Sequence, residues 1–403
     1  MRYDRRLMKG SDPMATSSDM LAELAEPVSA SLSGKSGVLP RQDIRTLVNR
    51  GMVRSISGAI AESQYQPASL DLRLGHKAYR VRASFLPGLN KSVEQALADL
   101  TQDEVSLEHG AILEKNCVYV VELMESLEDL PATISAFANP KSSTGRLDVF
   151  TRLIADHSEV FDSVAGGYSG KLYAEISPSS FSIKVRKGSR LNQLRFRRRG
   201  AGQEEASGFR VSDRDLRLVH ERTPLVDGPA TIRNGLVFRI HLAGASDDEI
   251  IGYQAQRFTD VIDVDRVGQY AVEDFWSPLY TRGRKRLILD PHQFYILASK
   301  ERLHIPAGFA AEMAPIDPSM GEFRVHYAGF FDPGFGVGAD GMPGSRGVLE
   351  VRSHEVPFVL EDGQVVGRLA FEKMAAEPDA LYGEIGTSNY QGQALKLSKH
   401  FRS

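Results

Sequence analysis

The residues of this chain best placed to do chemistry begin in NPKSSTGRLDVF, Asn139 to Phe150. Ser142, Ser143, Gly145 and Arg146 sit there at a break between apolar runs, so that hydroxyls, turn amides and a guanidinium can converge on one anion. A planar guanidinium flanked by hydroxyls suits charge-assisted, two-pronged binding of a phosphate or carboxylate. The same pattern also occurs as a capped turn with a solvent-facing arginine, and the residues alone leave both readings open.

Other groups offer less. Cys117 is the only cysteine, which excludes intrachain disulfides and zinc sites built on several thiolates. Within NCVYVVEL it reads as a buried strand thiol. GVGADG (336–341) satisfies G-x-G-x-x-G, but Met342, Pro343 and Gly344 follow where a pyrophosphate site needs a helix, so a hairpin loop is expected. The ten histidines show neither HExxH nor paired metal spacing, and His157, His326 and His354 read as packed or solvated.

The elements that must hold the turn are mainly strands. SLDLRLG, AYRVRASF, CVYVVEL, KLYAEISP and FSIKVRKG alternate in short runs between turn residues, the pattern of an all-β domain. LPRQDIRTLVNRGM (39–52) instead carries Leu39, Ile44, Leu47 and Val48 at helical spacing and stops at Gly51, which predicts a short helix. Residues 1–38 lack periodicity and are expected to be a mobile tail, in which Met14 is an alternative start. RFRRRGAGQEEASG (195–208) reads as a basic, turn-rich segment, after which strand texture resumes at GLVFRIHL and runs to about Met374. The division is a tail (1–38), a first β domain (39–200), a linker (201–228) and a second β domain (229–403) that ends in a polar segment.

Length and composition agree with this division. A chain of 403 residues accommodates two or three domains, and 42% apolar with 25% charged residues is ordinary for a globular protein. Forty-nine basic residues against 52 acidic give a net charge of −3, so nothing in the balance points to nucleic acid or a membrane surface, whereas a small anionic ligand fits. With no apolar run of about 18 residues and no signal-peptide core at the start, a cytoplasmic location is expected.

The two domains repeat each other. KLYAEISPSSFSIKVRKGSRLNQLRF, from Lys171, lies against GVLEVRSHEVPFVLEDGQVVGRLAF, which ends at Phe371. Glu175 precedes Phe196 by 21 positions, and Glu350 precedes Phe371 by 21. The intervals Glu175 to Gly188 and Glu350 to Gly363 are both 13. Upstream, LPATISAFANP has its counterpart in IPAGFAAEMAP.

QPASLDLRLG (66–75), LPATISAFANPKSSTGRL (130–147), FFDPGFG (330–336), the two glutamate strands and YGEIGTSNYQGQALKLS (382–398) together resemble the deoxycytidine triphosphate deaminase family. The resemblance covers most of the chain from Leu39 onward, in two tandem copies. It implies a mainly β fold of two dUTPase-like, distorted, jelly-roll-like β-barrel domains with a few short helices.

The resemblance also assigns roles. The Ser-Ser-x-x-Arg turn grips a triphosphate, which casts Ser142, Ser143 and Arg146 as phosphate ligands. Ala328 and Asp332 match the segment that reads cytosine, although Gly329 and Phe330 stand where the family has a histidine and a basic residue. Glu350 matches the catalytic glutamate. One carboxylate in a buried pocket, its pKa raised by desolvation, can take a proton from attacking water and return one to the departing amine. The polar C-terminal segment resembles a lid that brings Tyr382, Tyr390 and Gln393 to the nucleotide; Asn389 replaces a lysine often found there, and Lys396 and Lys399 are candidates to stand in for it. In the second copy Glu322 falls opposite Arg146, with Arg324 two positions on, while the first copy lacks Asp-Pro-Gly. Each copy thus keeps one half of the site, and a single composite site is expected, within a chain or between chains.

The activity implied is conversion of dCTP to dUTP and ammonia, feeding dUMP and dTTP synthesis. Magnesium would arrive with the triphosphate; without PCxxC or a thiolate pair, the zinc-water mechanism is closed. A homo-oligomer with sites at domain or subunit interfaces, and no nucleic-acid or membrane partner, are expected. A dUTPase, a bifunctional deaminase and diphosphatase, and a non-catalytic nucleotide sensor remain alternatives.

Overall fold

The computed structural model describes residues 35–200, 209–314, 323–326 (backbone), 329–338, 341–353, 355–386 and 388–402, and every count or absence below refers to these. Ala328, Glu322, His354 and the side chains of Arg324 and His326 lie outside them, as does the expected tail up to residue 34.

Each half is built on a pair of sheets, and the central strands of the two halves correspond. In the first, a six-stranded sheet is built around Val118–Leu127, Gly170–Pro178 and Val149–Ala155, and a five-stranded sheet around Ile134–Pro140 and Asn192–Arg198. In the second, Phe294–Leu303, Ser345–Ser353 and Phe323–His326 repeat the first group, and Phe309–Ala314 with Val365–Lys373 repeat the second. Registers agree as well. Glu175 lies opposite Val120 and Arg152, and Glu350 lies opposite Ile296 and His326. Alternating apolar residues fill the space between sheets, as the period-two texture requires. The expected mainly β, tandem fold is therefore present, and the predicted helix spans Arg41–Asn49 with Ile44 and Leu47 buried.

Three local readings change. Gly37 and Val38, reckoned with the tail, form a strand against Arg198 and Arg197. Arg195, Arg197 and Arg198, read as the start of a turn-rich segment, belong to the buried strand Asn192–Arg198, because the second half supplies Asp332 and Glu372 to the first two and Asp43 lies beside the third. Within the span read as linker, Asp213–Arg222 is a helix capped by Ser212, with Leu216 and Val219 buried one turn apart. Cys117, expected inside a strand, is half-buried at its foot, with Arg80 donating to its Sγ.

The halves share one body. A single apolar cluster joins Leu194, Phe196 and Phe181 of the first half to Ile262, Trp276, Phe294 and Val348 of the second. Ile262–Asp263 also pairs in parallel with Ile183–Lys184, and Ala375 donates its amide to the Val38 carbonyl. Among the described residues no helix is long and apolar enough to cross a membrane.

Candidate active site

The Ser-Ser-x-x-Arg turn follows from where its strand ends. Ile134–Pro140 stops at proline, Lys141 enters extended, and Ser142–Gly145 close one helical turn with Gly145 and Arg146 amides donating to Lys141 and Ser142 carbonyls. Asp148, in the left-handed region at φ 55°, turns the chain into the next strand. The Asp148 carboxylate accepts from Ser180 Oγ at 2.6 Å and is paired with Arg352 of the second half. The turn is thus fastened to the strand that carries Glu350.

On that strand, Ser345–Ser353, side chains alternate. Leu349 and Val351 enter the core of the second half, whereas Val348 joins the cluster shared with the first. Glu350, with the parity of Val348, faces the same way, into a cleft between the halves. Period-two geometry therefore aims the carboxylate at the first half, and Asp148–Arg352 keeps the Arg146 turn in front of it.

With the C-terminal segment closed down, the cleft keeps only about 50 Å³ of free space. Lys141, Ser142 and Arg146 of the first half form one wall, and Phe330, Asp332, Phe335 and Glu350 of the second form the other. Tyr382, Tyr390 and Gln393 close it from the C-terminal segment. Gly334 at φ 86° lies where an added Cβ would meet Leu381 Cβ at 2.7 Å, so only glycine lets the Asp332 loop pack under that segment. Gln391 clasps the same loop: its Nε2 donates to Gly334 O at 3.1 Å, and its Oε1 accepts from the Gly336 amide at 3.0 Å.

The C-terminal segment is closed on Arg146. The guanidinium donates to Gln393 Oε1 at 3.0 Å and Lys396 O at 2.8 Å, and it lies 3.8 Å from the Tyr390 ring centroid. Its Nε is buried without a partner, so this edge still has a donor to offer. Ser398 Oγ donates to the Ser143 carbonyl at 2.7 Å, tying the segment to the turn itself.

Burial governs the titration of the site. It pushes the Glu350 carboxyl up to about 8, the Arg146 charge opposing only in part. Asp332 is raised for the same reason, against the pull of Arg195. The Tyr390 and Tyr382 phenols are raised by burial and stay neutral. A carboxyl that is neutral in part near pH 8, with no ion pair among the described residues, can both accept and release a proton.

Of the residues the sequence singled out, the structure brings Ser142, Arg146, Asp332, Glu350, Tyr382, Tyr390 and Gln393 to one cleft. Ser143 is on the other side of its turn, in a small adjoining void with Lys399 and His400. Lys396 accepts from Arg146 through its carbonyl, while its ammonium donates to Asn389 O at 3.0 Å and lies 5.9 Å from the Tyr390 ring centroid. The composite arrangement lies within one chain. Sequence reasoning missed Arg195, which is fully buried and holds Asp332 at 3.1 Å. The alternation of Arg195 and Arg197 about Phe196 was its available signal, a strand pattern mistaken for a charge run.

Fold and site define a class: duplicated β domains with a buried arginine turn on one copy and a buried carboxylate of raised pKa on the other, both lining one cleft. Comparison with known proteins narrows it. The N-terminal domain of 2′-deoxycytidine 5′-triphosphate deaminase matches residues 35–201, and the C-terminal domain matches residues 212–401. The crystal structure of 2′-deoxycytidine 5′-triphosphate deaminase from Agrobacterium tumefaciens is 52% identical, with a TM-score of 0.79, over 84% of this chain and 99% of that one. A dCTP deaminase of Haloarcula marismortui is 27% identical over 134 residues, 33% of this chain and 66% of the relative. A dUMP-forming dCTP deaminase of Halobacterium salinarum is 28% identical over 126 residues, 30% of this chain and 60% of the relative. The chain spans 66% and 60% of the length of these two curated relatives, less than two thirds of each. It belongs to the 2′-deoxycytidine 5′-triphosphate deaminase family.

Proposed function

We propose that this protein deaminates dCTP to dUTP and ammonia in the cleft between its halves. The observation that carries the reading is the presence of Arg146 from one copy and Glu350 from the other in that single cleft. Arg146, Ser142 and the turn amides bind the triphosphate, which brings its own magnesium, and Ser143 supports the turn from behind. The cytosine lies toward Asp332 and Glu350, beside the segment that includes Ala328. Glu350 takes a proton from water as the oxygen adds to C4, then passes a proton to the C4 amine as the C–N bond breaks. Water in and ammonia out balance the conversion, and zinc has no part in the scheme. Tyr390 and Gln393 close over the nucleotide and exclude bulk water. Both half-sites come from one chain, so an oligomer is not needed to complete this cleft. A cytoplasmic location accords with a free nucleotide as substrate.

An ammonia-release assay with chromatographic product analysis tests this on dCTP, CTP, dCMP and dUTP. Ammonia and dUTP from dCTP, without pyrophosphate, are expected. Pyrophosphate and dUMP would make this protein bifunctional; the Halobacterium relative is a dUMP-forming dCTP deaminase. Binding of dCTP with no ammonia at high enzyme concentration would make it a sensor.

A further inference from the structure

Arg195 belongs to the first half, yet the partners of its guanidinium all belong to the second. Nη1 donates to Ala311 O at 3.2 Å, and Nη2 donates to Asp332 Oδ1 at 3.1 Å and Phe331 O at 3.5 Å. The guanidinium carbon sits 3.9 Å from the Phe330 ring centroid, and Glu372 lies 3.9 Å away. Phe330, Phe331 and Asp332 are wall residues of the cleft. A guanidinium with no exposure is tolerated only with such partners, so the wall and the arginine hold each other in place.

The repeat supplies a control. Aligning Phe196 with Phe371 puts Ala370 at the position of Arg195, so the strand itself does not call for an arginine. The wall segment, meanwhile, carries Gly329 and Phe330 and no cation of its own up to Asp332. Among the described residues, the cation paired with Asp332 comes from the other copy.

We propose that Arg195 is a positioning residue for the base end of the cleft, a cation supplied by the first half that fixes the Phe330–Asp332 wall against which the pyrimidine rests. This deepens the reading of the cleft as a cytosine-nucleotide site and depends on it. Arg195 lies at the wall, and Arg146 at the turn. Losing Arg195 should therefore impair handling of the base and leave the phosphate end intact.

The test compares wild type with Arg195→Met and Arg195→Lys by steady-state deamination of dCTP and by calorimetric binding of inorganic tripolyphosphate. Arg195→Met should lower kcat about 10²-fold through misplacement of the wall, with tripolyphosphate affinity within about twofold of wild type. Arg195→Lys keeps charge and approximate size, so it guards against a folding failure. Lacking the planar fork, it should still lose about tenfold in kcat. Adding Phe330→Arg to Arg195→Met, which returns a cation to the wall from its own segment, should recover part of the loss. Wild-type kcat in folded Arg195→Lys, or parallel losses of kcat and tripolyphosphate binding, would overturn the proposal. If wild type binds dCTP without releasing ammonia, the functional reading fails by itself, and the same contrast is read from affinities. Selective weakening of dCTP then supports the role of Arg195, and equal weakening of dCTP and tripolyphosphate refutes it. A wild type that neither deaminates nor binds dCTP defeats both.

Discussion

Glu175 and Glu350 occupy the same position of the same strand in two copies of one fold, and the surroundings have driven them apart. Glu175 is paired with Arg152 at 2.6 and 3.1 Å, and that guanidinium is held 3.4 Å from the Phe161 ring centroid. Glu350 has no such ion pair among the described residues and lies in a cleft. One carboxylate is ion-paired with a cation from the adjacent strand, and burial raises the pKa of the other. A glutamate on this strand is therefore a feature of the fold, and the lack of an ion pair among the described residues, together with burial, is what makes Glu350 a candidate acid and base.

Replacing each glutamate breaks this comparison most directly. Glu350→Gln keeps the shape and removes the exchangeable proton, so deamination should fall by about 10²–10⁴-fold while dCTP still binds. Equal binding and a steep loss of ammonia release, measured on the same preparation, is the expected pair of results. Unchanged turnover would remove Glu350 from the chemistry.

The phosphate end offers the next largest effect. Arg146→Ala withdraws the charge facing the triphosphate, at a cost of roughly 2–5 kcal/mol if the pair is desolvated, which is seen as a large rise in KM for dCTP. Because the C-terminal segment also bonds to Arg146, kcat should fall less steeply, as closure loses two hydrogen bonds. Mixing Arg146→Ala chains with Glu350→Gln chains should restore nothing, since both residues line one intrachain cleft. Recovery of activity on mixing would mean that working sites form between chains.

Titration sharpens the contrast further. The Glu350 carboxyl stands at about 8 in the folded protein against 4.5 for a free glutamate. A pKa raised on folding means that its contribution to stability is fully present below pH 4.5 and is lost as pH rises through about 8. Wild type should therefore lose stability relative to Glu350→Gln over that window, by on the order of a few kcal/mol at most, and the gap should level off above it. Urea unfolding of both proteins at pH 5 and pH 9 measures this. The kcat/KM for dCTP should rise with ionisation of the same group, through an apparent pKa near 8.

How far the sequence disclosed this site depends on the range over which each signal acts. Strand texture, the 21-residue interval from glutamate to phenylalanine, and the Pro-Lys-Ser-Ser turn are local patterns, and each matches an observed element. The helix Asp213–Arg222 was also legible, in Ser212 before an acidic turn and in Leu216 with Val219, but Gly and Pro on either side obscured it. Arg195 was not legible as a core residue. Its burial depends on Asp332 and Glu372, 137 and 177 positions away, and a run of arginines without that context reads as solvated surface. The same limit applies to Ser143, since only the fold decides which of two adjacent hydroxyls faces the cleft.

The smallest expected effect completes the comparison. Glu175→Gln removes a charge that is tied to Arg152 and lines no described part of the cleft, so ammonia release from dCTP should stay within about twofold of wild type. Its consequence belongs to stability. Arg152 is partly exposed, at 23% for its side chain, and it keeps contacts with Ser84 Oγ and the Phe161 ring. Water can therefore solvate the guanidinium once its partner is neutral, and the loss should be about 1 kcal/mol rather than the larger figure for a sealed pair. Chemical denaturation with a parallel activity assay separates the two outcomes. If Glu175→Gln lowered turnover as much as Glu350→Gln, the first half would contain a working carboxylate, and the division of labour between the copies would have to be abandoned.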